Sequence, residues 1–213
     1  MRIQVALDLV DLLRTIDMAR SLCEAGADLL EAGTPLIKTF GLGSVGLIKS
    51  ACRTAEVVAD LKTADVGALE AELAWKAGAD WATVMAGTNL ETIEDFVNKA
   101  RELGLKVVVD TIGVADPETR VREIVSHVAV DMVTLHIGID VQRRRGIPID
   151  RLIEEAERIK RLGVKVALAG GIGQRELEIL SKRDIDVVIV GRFITSAPSP
   201  KDAFLLLKSI INK

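Results

Sequence analysis

The chain has 213 residues, of which 49% are hydrophobic and only 3% aromatic, and its net charge at pH 7 is -3. This length allows one large domain or two small ones, with a substantial aliphatic core. The near-neutral charge gives no global field that favours nucleic acid or an anionic membrane. No apolar run approaches the roughly 20 residues of a membrane span, and the N-terminus lacks the apolar region of a signal peptide. We therefore expect a soluble, cytoplasmic protein.

Short β-branched runs alternate with amphipathic segments from one end of the chain to the other. Eight runs predict strands, at residues 3–8, 29–33, 57–62, 81–85, 106–110, 132–136, 165–169 and 187–191. Helical periodicity lies between them, for example at residues 15–25, 69–77, 90–103, 150–162 and 200–211. The strands lack polar alternation, which is typical of a parallel sheet with both faces buried.

Eight strand–helix units without a linker or a change in composition predict a single domain over residues 1–213, closed as a (β/α)8 TIM barrel. An open, doubly wound sheet is the alternative. That fold would need a glycine-rich phosphate loop after the first strand, and residues 8–11 (Asp-Leu-Val-Asp) contain no glycine. The two cysteines, Cys23 and Cys52, have no metal-type spacing, and we interpret them as buried thiols that require no oxidising compartment.

Two carboxylates and a lysine surround the end of the third predicted strand. Asp60 and Lys62 are two apart and should share one face, roughly 6.6 Å from each other along the strand. Asp65 lies just beyond, where the chain turns toward a helix. Charged residues in loops are often merely solvated, but three of them at the exit of an apolar strand favour a catalytic cluster.

Polar residues also lie at or near the ends of several other strands, at the face where a barrel of this type carries its active site. Glu31 and Asp60 end neighbouring strands, so their carboxylates could meet and hold Mg²⁺ or Mn²⁺. In the alternative, either acid simply pairs with Lys62 and no metal binds. Asp8 and Asp110 end the first and fifth strands and are candidates for binding substrate.

Glycines follow the seventh and eighth strands, where barrels commonly bind phosphate. Gly170, Gly171 and Gly191 would let backbone N–H groups approach phosphate oxygens, and the guanidinium of Arg192 can bind two oxygens at once. These glycines could instead serve only tight turns, with Arg192 paired to a nearby acid. Because both elements stand in the expected places, we predict a phosphorylated ligand.

His136 is the only histidine at a strand exit, and its near-neutral unperturbed pKa suits proton transfer. The other histidine, His127, is predicted to end a helix at the surface. The basic run at residues 143–145 is interpreted as a solvated loop; a phosphosugar lid and a polyanion site are the alternatives. It lacks the wider basic face and the stacking aromatics that nucleic-acid binding requires.

Together these residues form a recognisable pattern. It includes Val5-Ala6-Leu7-Asp8, Glu31-Ala32-Gly33-Thr34-Pro35, Asp60-x-Lys62-x-x-Asp65, Asp110-Thr111-Ile112-Gly113, His136-Ile137-Gly138-Ile139-Asp140, Ala169-Gly170-Gly171 and Gly191-Arg192. The chain resembles, essentially from end to end, the 3-hexulose-6-phosphate synthases, a family of the orotidine-5'-phosphate decarboxylase suprafamily of barrels. The Asp-x-Lys-x-x-Asp signature is specific for the suprafamily, and the Glu31 segment points to its metal-dependent phosphosugar branch.

The resemblance implies a reversible, metal-dependent aldol reaction in which formaldehyde and D-ribulose 5-phosphate give D-arabino-3-hexulose 6-phosphate. Glu31 and Asp60 would hold the ion, Lys62 would stabilise a 1,2-enediolate and His136 would shuttle the proton. It also implies a homodimer in which Asp65 reaches the partner's active site, with phosphate on Gly171, Gly191 and Arg192. A hexulose-phosphate isomerase is a possible partner.

Within the same branch, the resemblance leaves 3-keto-L-gulonate-6-phosphate decarboxylase as an alternative. That family has a glutamate where this chain has Asp110, and an arginine where it has Ile139. Both differences favour the synthase. A catalytically silent phosphosugar-binding subunit is a further alternative, against which the complete Asp60, Lys62 and Asp65 set argues.

Overall fold

A computed structural model of the protein describes residues 1–146 and 149–212. Its eight strands are all parallel and pair in chain order, and the eighth strand pairs with the first, so the sheet closes. The predicted (β/α)8 barrel is therefore confirmed, and the open doubly wound sheet is excluded. Residues 147, 148 and 213, which the single-domain prediction includes, lie outside the described part of the chain.

The strands are β1 (Arg2–Leu7), β2 (Leu29–Ala32), β3 (Glu56–Thr63), β4 (Trp81–Met85), β5 (Lys106–Asp110), β6 (Met132–His136), β7 (Lys165–Ala169) and β8 (Val187–Val190). The helices are α1 (Leu12–Glu24), α2 (Thr34–Phe40), α3 (Gly43–Ala51), α4 (Gly67–Lys76), α5 (Leu90–Leu103), α6 (Pro117–His127), α7 (Ile139–Arg145), α8 (Ile149–Lys160), α9 (Gln174–Leu180), α10 (Arg192–Thr195) and α11 (Pro200–Ile211). The bounds predicted for β4, β5, β6 and β7 agree with the structure to the residue, while β3 extends one residue further at each end.

Short polar side chains start several helices. Asp11 and Asp116 accept the backbone N–H of the third residue of α1 and α6, and Ser199 does the same for α11, which satisfies donors that have no partner inside the helix. Gly104 ends α5 with φ +72°, a conformation that glycine adopts without strain. Local sequence thus sets the length of these helices and the points at which the chain turns back to the sheet.

Two apolar layers hold the barrel together. The larger lies between the strands and the surrounding helices. The smaller fills the lower half of the barrel interior with side chains that are at most 5% exposed: Leu29, Val58, Trp81, Val108, Met132, Ala167 and Val187. Directly above it, at the carboxyl ends of the strands, the inward-facing side chains become polar. The apolar plug therefore forms the floor of a site that opens only at this end.

Cys23 and Cys52 are joined by a disulfide that links the last turn of α1 to the residue after α3, with their Cα atoms 5.4 Å apart. Their prediction as buried thiols was wrong. The two residues are 29 positions apart in the sequence, and only the return of α3 beside α1 brings them together. Spacing along the chain gave no indication of this pairing, which depends on how the two helices pack.

The basic run at residues 143–145 belongs to α7, so its interpretation as a loop was also wrong. Arg143 and Arg144 are exposed on that short helix. Among the described residues, no helix is both long enough and apolar enough to cross a membrane.

Candidate active site

The carboxyl ends of the strands surround a cavity of about 1220 Å³. Every site residue predicted from the sequence lines it, apart from Asp65: Asp8, Glu31, Asp60, Lys62, Asp110, His136, Gly170, Gly171, Gly191 and Arg192. The barrel therefore brings together residues that lie as far apart in the sequence as the first and last strands.

Lys62 stands at the centre of this cavity on an irregular part of β3. Its Nζ lies 2.8 and 2.9 Å from the two carboxylate oxygens of Asp60 and 3.0 Å from Oδ2 of Asp110. The expectation that Asp60 and Lys62 share a face is confirmed, but not through regular strand geometry. Lys62 has φ +50°, and the register between β3 and β4 shifts between Ala59 and Thr63. A bulge therefore turns the lysine onto the two acids.

Lys62 is a cation held by two buried carboxylates. Burial lowers the pKa of its ammonium group, but the charges of Asp60 and Asp110 and the hydrogen bond to Asp60 outweigh burial and raise the pKa above its ordinary value. Its side chain is only 22% exposed. The lysine thus presents a permanent positive charge to the cavity at neutral pH, suited to stabilising an anion rather than to acting as a base.

Asp110 connects the lysine to the histidine. Its Oδ2 lies 3.0 Å from Lys62 Nζ and 3.0 Å from His136 Nδ1, and its Oδ1 accepts the backbone N–H of Ile112 at 2.9 Å. Burial raises the pKa of this carboxyl, but the hydrogen bond and charge of His136 and the charge of Lys62 bring it down to about 2. Asp110 is therefore ionised and orients both neighbouring side chains.

Two threonines that the sequence analysis did not single out fix the carboxylate of Asp60. Thr34, the first residue of α2, lies 2.7 Å from Oδ2 through its hydroxyl, and Thr83 on β4 donates to Oδ1 at 2.9 Å. With Lys62, they give Asp60 donors on both oxygens. A signal for Thr83 was present, since it is the single hydroxyl residue in the otherwise apolar run Trp81–Met85.

Glu31 is a buried acid close to two other carboxylates. It is 7% exposed, and its carboxylate accepts a hydrogen bond from the amide of Gln4. Burial, followed by the charges of Asp60 and Asp8, raises its pKa well above the ordinary range. Asp60 and Asp8 thus place two further negative charges near Glu31, and a bound cation would relieve this repulsion.

Glycines let side chains and ligands approach this end of the barrel closely. A Cβ at Gly33 would lie 2.0 Å from Oδ1 of Asp8, so the carboxylate occupies that space. Gly170 and Gly171 have φ of +126° and +68° and pack against the side-chain amide of Gln142 from α7. A side chain at either position would be strained and would displace this amide.

Asp65 is the one predicted site residue that does not line the cavity of its own chain. It is exposed, and its Oδ1 accepts the N–H of Val66 at 2.8 Å. Arg192 lines the cavity but is exposed, at the first position of α10. The prediction that Arg192 binds phosphate therefore has a suitable location, and Asp65 could act only outside the cavity of its own chain.

Comparison with known proteins identifies the family. The sequence signature of the Orotidine 5'-phosphate decarboxylase / HUMPS family matches residues 1–205. The chain belongs to this family. A 3-hexulose-6-phosphate synthase of Mycobacterium gastri is 35% identical over 99% of this chain and 100% of its own length. The 1.65 Å crystal structure of the Salmonella typhimurium 3-hexulose-6-phosphate synthase superposes with a TM-score of 0.92 at 34% identity, covering 100% of this chain and 99% of that chain.

A further relative is a bifunctional enzyme of which this chain matches half. The bifunctional enzyme Fae/Hps of Methanoculleus marisnigri is 37% identical over 94% of this chain, and the match covers 50% of that protein. The resemblance to the family that was seen in the sequence motifs is thereby confirmed over nearly the whole chain.

Proposed function

We propose that this family member is an aldehyde-lyase that condenses formaldehyde with D-ribulose 5-phosphate to D-arabino-3-hexulose 6-phosphate, reversibly and through a 1,2-enediolate. The observation that carries the proposal is full-length similarity to 3-hexulose-6-phosphate synthases together with Lys62 placed on two buried carboxylates. The cavity around Lys62 is large enough for a phosphorylated pentose.

The chemistry follows from the positions of His136 and Lys62. Loss of a proton from C1 of the ketose leaves an enediolate, whose carbon then attacks the carbonyl carbon of formaldehyde. Nδ1 of His136 is hydrogen-bonded to Asp110, which leaves Nε2 to accept that proton and to return it to the new alkoxide. The ammonium of Lys62 donates a hydrogen bond to the enediolate oxygen. The negative charge on this oxygen arises only as the reaction proceeds.

We further propose Mg²⁺, or Mn²⁺, as cofactor, held by Glu31 and Asp60. Within the described residues, no group of three or more His, Cys, Asp or Glu side chains forms a complete metal site. Two carboxylates fit Mg²⁺, which commonly keeps several waters and takes further ligands from substrate. Burial and, after it, the negative charges of Asp60 and Asp8 raise the pKa of Glu31, and these charges also favour a cation here. When bound, the ion supplies positive charge that stabilises the enediolate.

The remaining cavity residues would bind the rest of the sugar. The backbone N–H groups of Gly171 and Gly191 and the guanidinium of Arg192 would bind the phosphate, beside Gly170. Asp8 lies next to Gly191, since a Cβ on Gly191 would be 3.7 Å from Oδ2 of Asp8. The carboxylate of Asp8 would accept a hydrogen bond from a sugar hydroxyl. This arrangement spans the cavity from the phosphate to the reacting C1 atom.

A homodimer would complete the site. Val66, the residue before α4, and Leu69 and Leu73 on α4 are 55%, 53% and 39% exposed, and they follow Asp65 at the spacing of one helix face. An apolar stripe of this kind favours a protein contact, and a partner on it would bring Asp65 of one protomer toward the other. A hexulose-phosphate isomerase is a further candidate partner. The Fae/Hps relative indicates that this barrel can be fused to a second enzyme.

The test is a ¹³C NMR assay of the purified protein with [¹³C]formaldehyde and ribulose 5-phosphate, with Mg²⁺ and with EDTA. We expect a new hexulose phosphate signal, Mg²⁺-dependent and absent with K62A. Product formation at full rate by E31Q in EDTA would contradict the metal assignment. Release of CO₂ from 3-keto-L-gulonate 6-phosphate, without condensation, would instead indicate a decarboxylase. Full turnover by K62A would contradict the role of the lysine.

A further inference from the structure

The backbone of Lys62 is held in a conformation that lysine does not normally adopt. Asp60, Leu61 and Lys62 lie between two register pairs, Ala59 with Ala82 and Thr63 with Val84, so that three residues of β3 face the single residue Thr83 of β4. Lys62 has φ +50°, in the left-handed region, where a residue with a Cβ is strained. Something in the surrounding structure must hold this bulge in place.

Thr83 makes the contacts that hold it. Its Oγ1 accepts the backbone N–H of Lys62 at 2.9 Å and donates its own hydrogen to Oδ1 of Asp60 at 2.9 Å. A hydroxyl has one hydrogen and accepting lone pairs, so one group satisfies both ends of the bulge at once. Thr83 is only 6% exposed, so water does not easily replace it in either contact.

We propose that Thr83 is a positioning residue for catalysis: its hydroxyl fixes the bulge that aims the ammonium of Lys62 at Asp60, Asp110 and the substrate. The proposal rests on the proposed function in so far as Lys62 and Asp60 take part in the reaction. Without the hydroxyl, the N–H of Lys62 loses its acceptor and Asp60 loses one donor. The backbone of Lys62 then relaxes toward extended φ, which moves its Nζ off the two acids.

The test compares T83V, T83A and T83S with T134V as a matched control. Valine has the shape of threonine without the hydroxyl, and serine keeps the hydroxyl. Thr134 on β6 is likewise buried and lines the cavity, but its hydroxyl has no hydrogen-bond partner among the residues that the structure describes. The steady-state rate of condensation with Mg²⁺ gives kcat and KM for each variant.

We expect kcat of T83V and T83A to fall about 30-fold, in the range found for residues that orient metal ligands, the role proposed for Asp60. KM for ribulose 5-phosphate should stay within about threefold, since Lys62 acts on the charge that develops during reaction. T83S should restore kcat to within about threefold, and T134V should lower kcat far less than T83V does, because the hydroxyl of Thr134 does not contact Lys62 or Asp60. If Thr83 had only a structural role, its substitution would lower thermal stability without lowering kcat at an unchanged KM. Unchanged kcat in T83V, or equal losses in T83S and T83V, would overturn the proposal.

A crystal structure of T83V separates this inference from the proposed function. We expect the φ angle of Lys62 to leave the left-handed region. Its Nζ should lose its contact with at least one of the two acids, Asp60 and Asp110. If φ stays near +50° with both contacts intact, the inference about Thr83 is wrong, whatever reaction the protein catalyses. If the wild type shows no condensation, the proposed function fails, and the same crystal structure still decides whether Thr83 holds the bulge. Should T83V not fold, T83A serves in its place.

Discussion

The imidazole of His136 is anchored through Nδ1 to Oδ2 of Asp110 at 3.0 Å. An acceptor carboxylate at this distance favours the proton on Nδ1, which leaves Nε2 to exchange protons with a ligand. Because the same Oδ2 also lies 3.0 Å from Lys62 Nζ, one carboxylate fixes the proposed proton carrier and the proposed anion-stabilising group relative to each other.

This relationship predicts different outcomes for two substitutions of His136. In H136N the amide can still donate to Asp110, but the nitrogen that would exchange the proton is lost. We expect kcat to fall about 100-fold or more, as for loss of a general base, with thermal stability close to wild type. H136A should lose both activity and stability. Exchange of the C1 hydrogen of ribulose 5-phosphate in D₂O, followed by ¹H NMR without formaldehyde, measures the step directly. Exchange at the wild-type rate in H136N would contradict the assignment.

Asp110 should also make the stability of the protein depend on acid pH. Its pKa is about 2 in the folded protein, below the ordinary value of 3.8, so its stabilising contribution is complete above about pH 4 and is lost as the pH falls toward 2. The difference corresponds to about 2 kcal/mol. We expect D110N to be less stable than wild type at pH 7 and to lose correspondingly less stability between pH 5 and pH 2. Urea unfolding across this range measures the difference, and parallel curves for the two proteins would refute it.

The barrel and most of the site could be predicted from the sequence because they depend on local patterns. Uninterrupted β-branched runs mark strands buried on both faces, and a polar residue at or near the end of several runs marks the open end of the barrel. Asp8, Glu31, Asp60, Asp110 and His136 were found in this way. Only their mutual contacts required the closed sheet.

The features that were missed depend on packing between distant segments. The disulfide between Cys23 and Cys52 exists because α3 returns beside α1, and the bulge at Lys62 exists because Thr83 on the next strand bonds to it. A pattern of period two assumes a regular strand and has no means of predicting an irregular one. The contact of Gln142 with the glycines after β7 likewise appears only once α7 has folded over them.

Arg192 provides a test of the phosphate site. Since its guanidinium would contact the phosphate in the ground state and the transition state alike, R192A should raise KM for ribulose 5-phosphate about 10- to 100-fold and change kcat much less. KM for formaldehyde should stay the same because that substrate carries no phosphate. R144A, which removes an exposed arginine from α7, is the control for loss of a positive charge. An equal rise of KM in both variants would indicate a general charge effect.

Asp65 tests the proposed dimer. If it completes the partner's site, D65A and K62A should each be inactive alone but regain activity when they are unfolded together and refolded. Random mixing gives half heterodimers, each with one intact site, and so about one quarter of wild-type activity. L69K, on the exposed stripe of α4, should lower the dimer mass in light scattering. Activity of D65A alone at the wild-type level would contradict the role of Asp65, and a mixture that stays inactive would contradict shared sites.

The disulfide between Cys23 and Cys52 should stabilise the fold without taking part in the reaction. It closes a loop that carries Glu31 and Thr34, and with its ends 29 positions apart the loss of chain entropy in the unfolded state corresponds to about 3–4 kcal/mol. We expect C23S and C52S to melt about 10 °C below the wild type and to keep kcat at 25 °C. Dithiothreitol should lower the wild-type melting temperature to that of the variants and leave the variants unchanged. A wild type that melts at the same temperature with and without the reductant would show that the bond contributes nothing to stability.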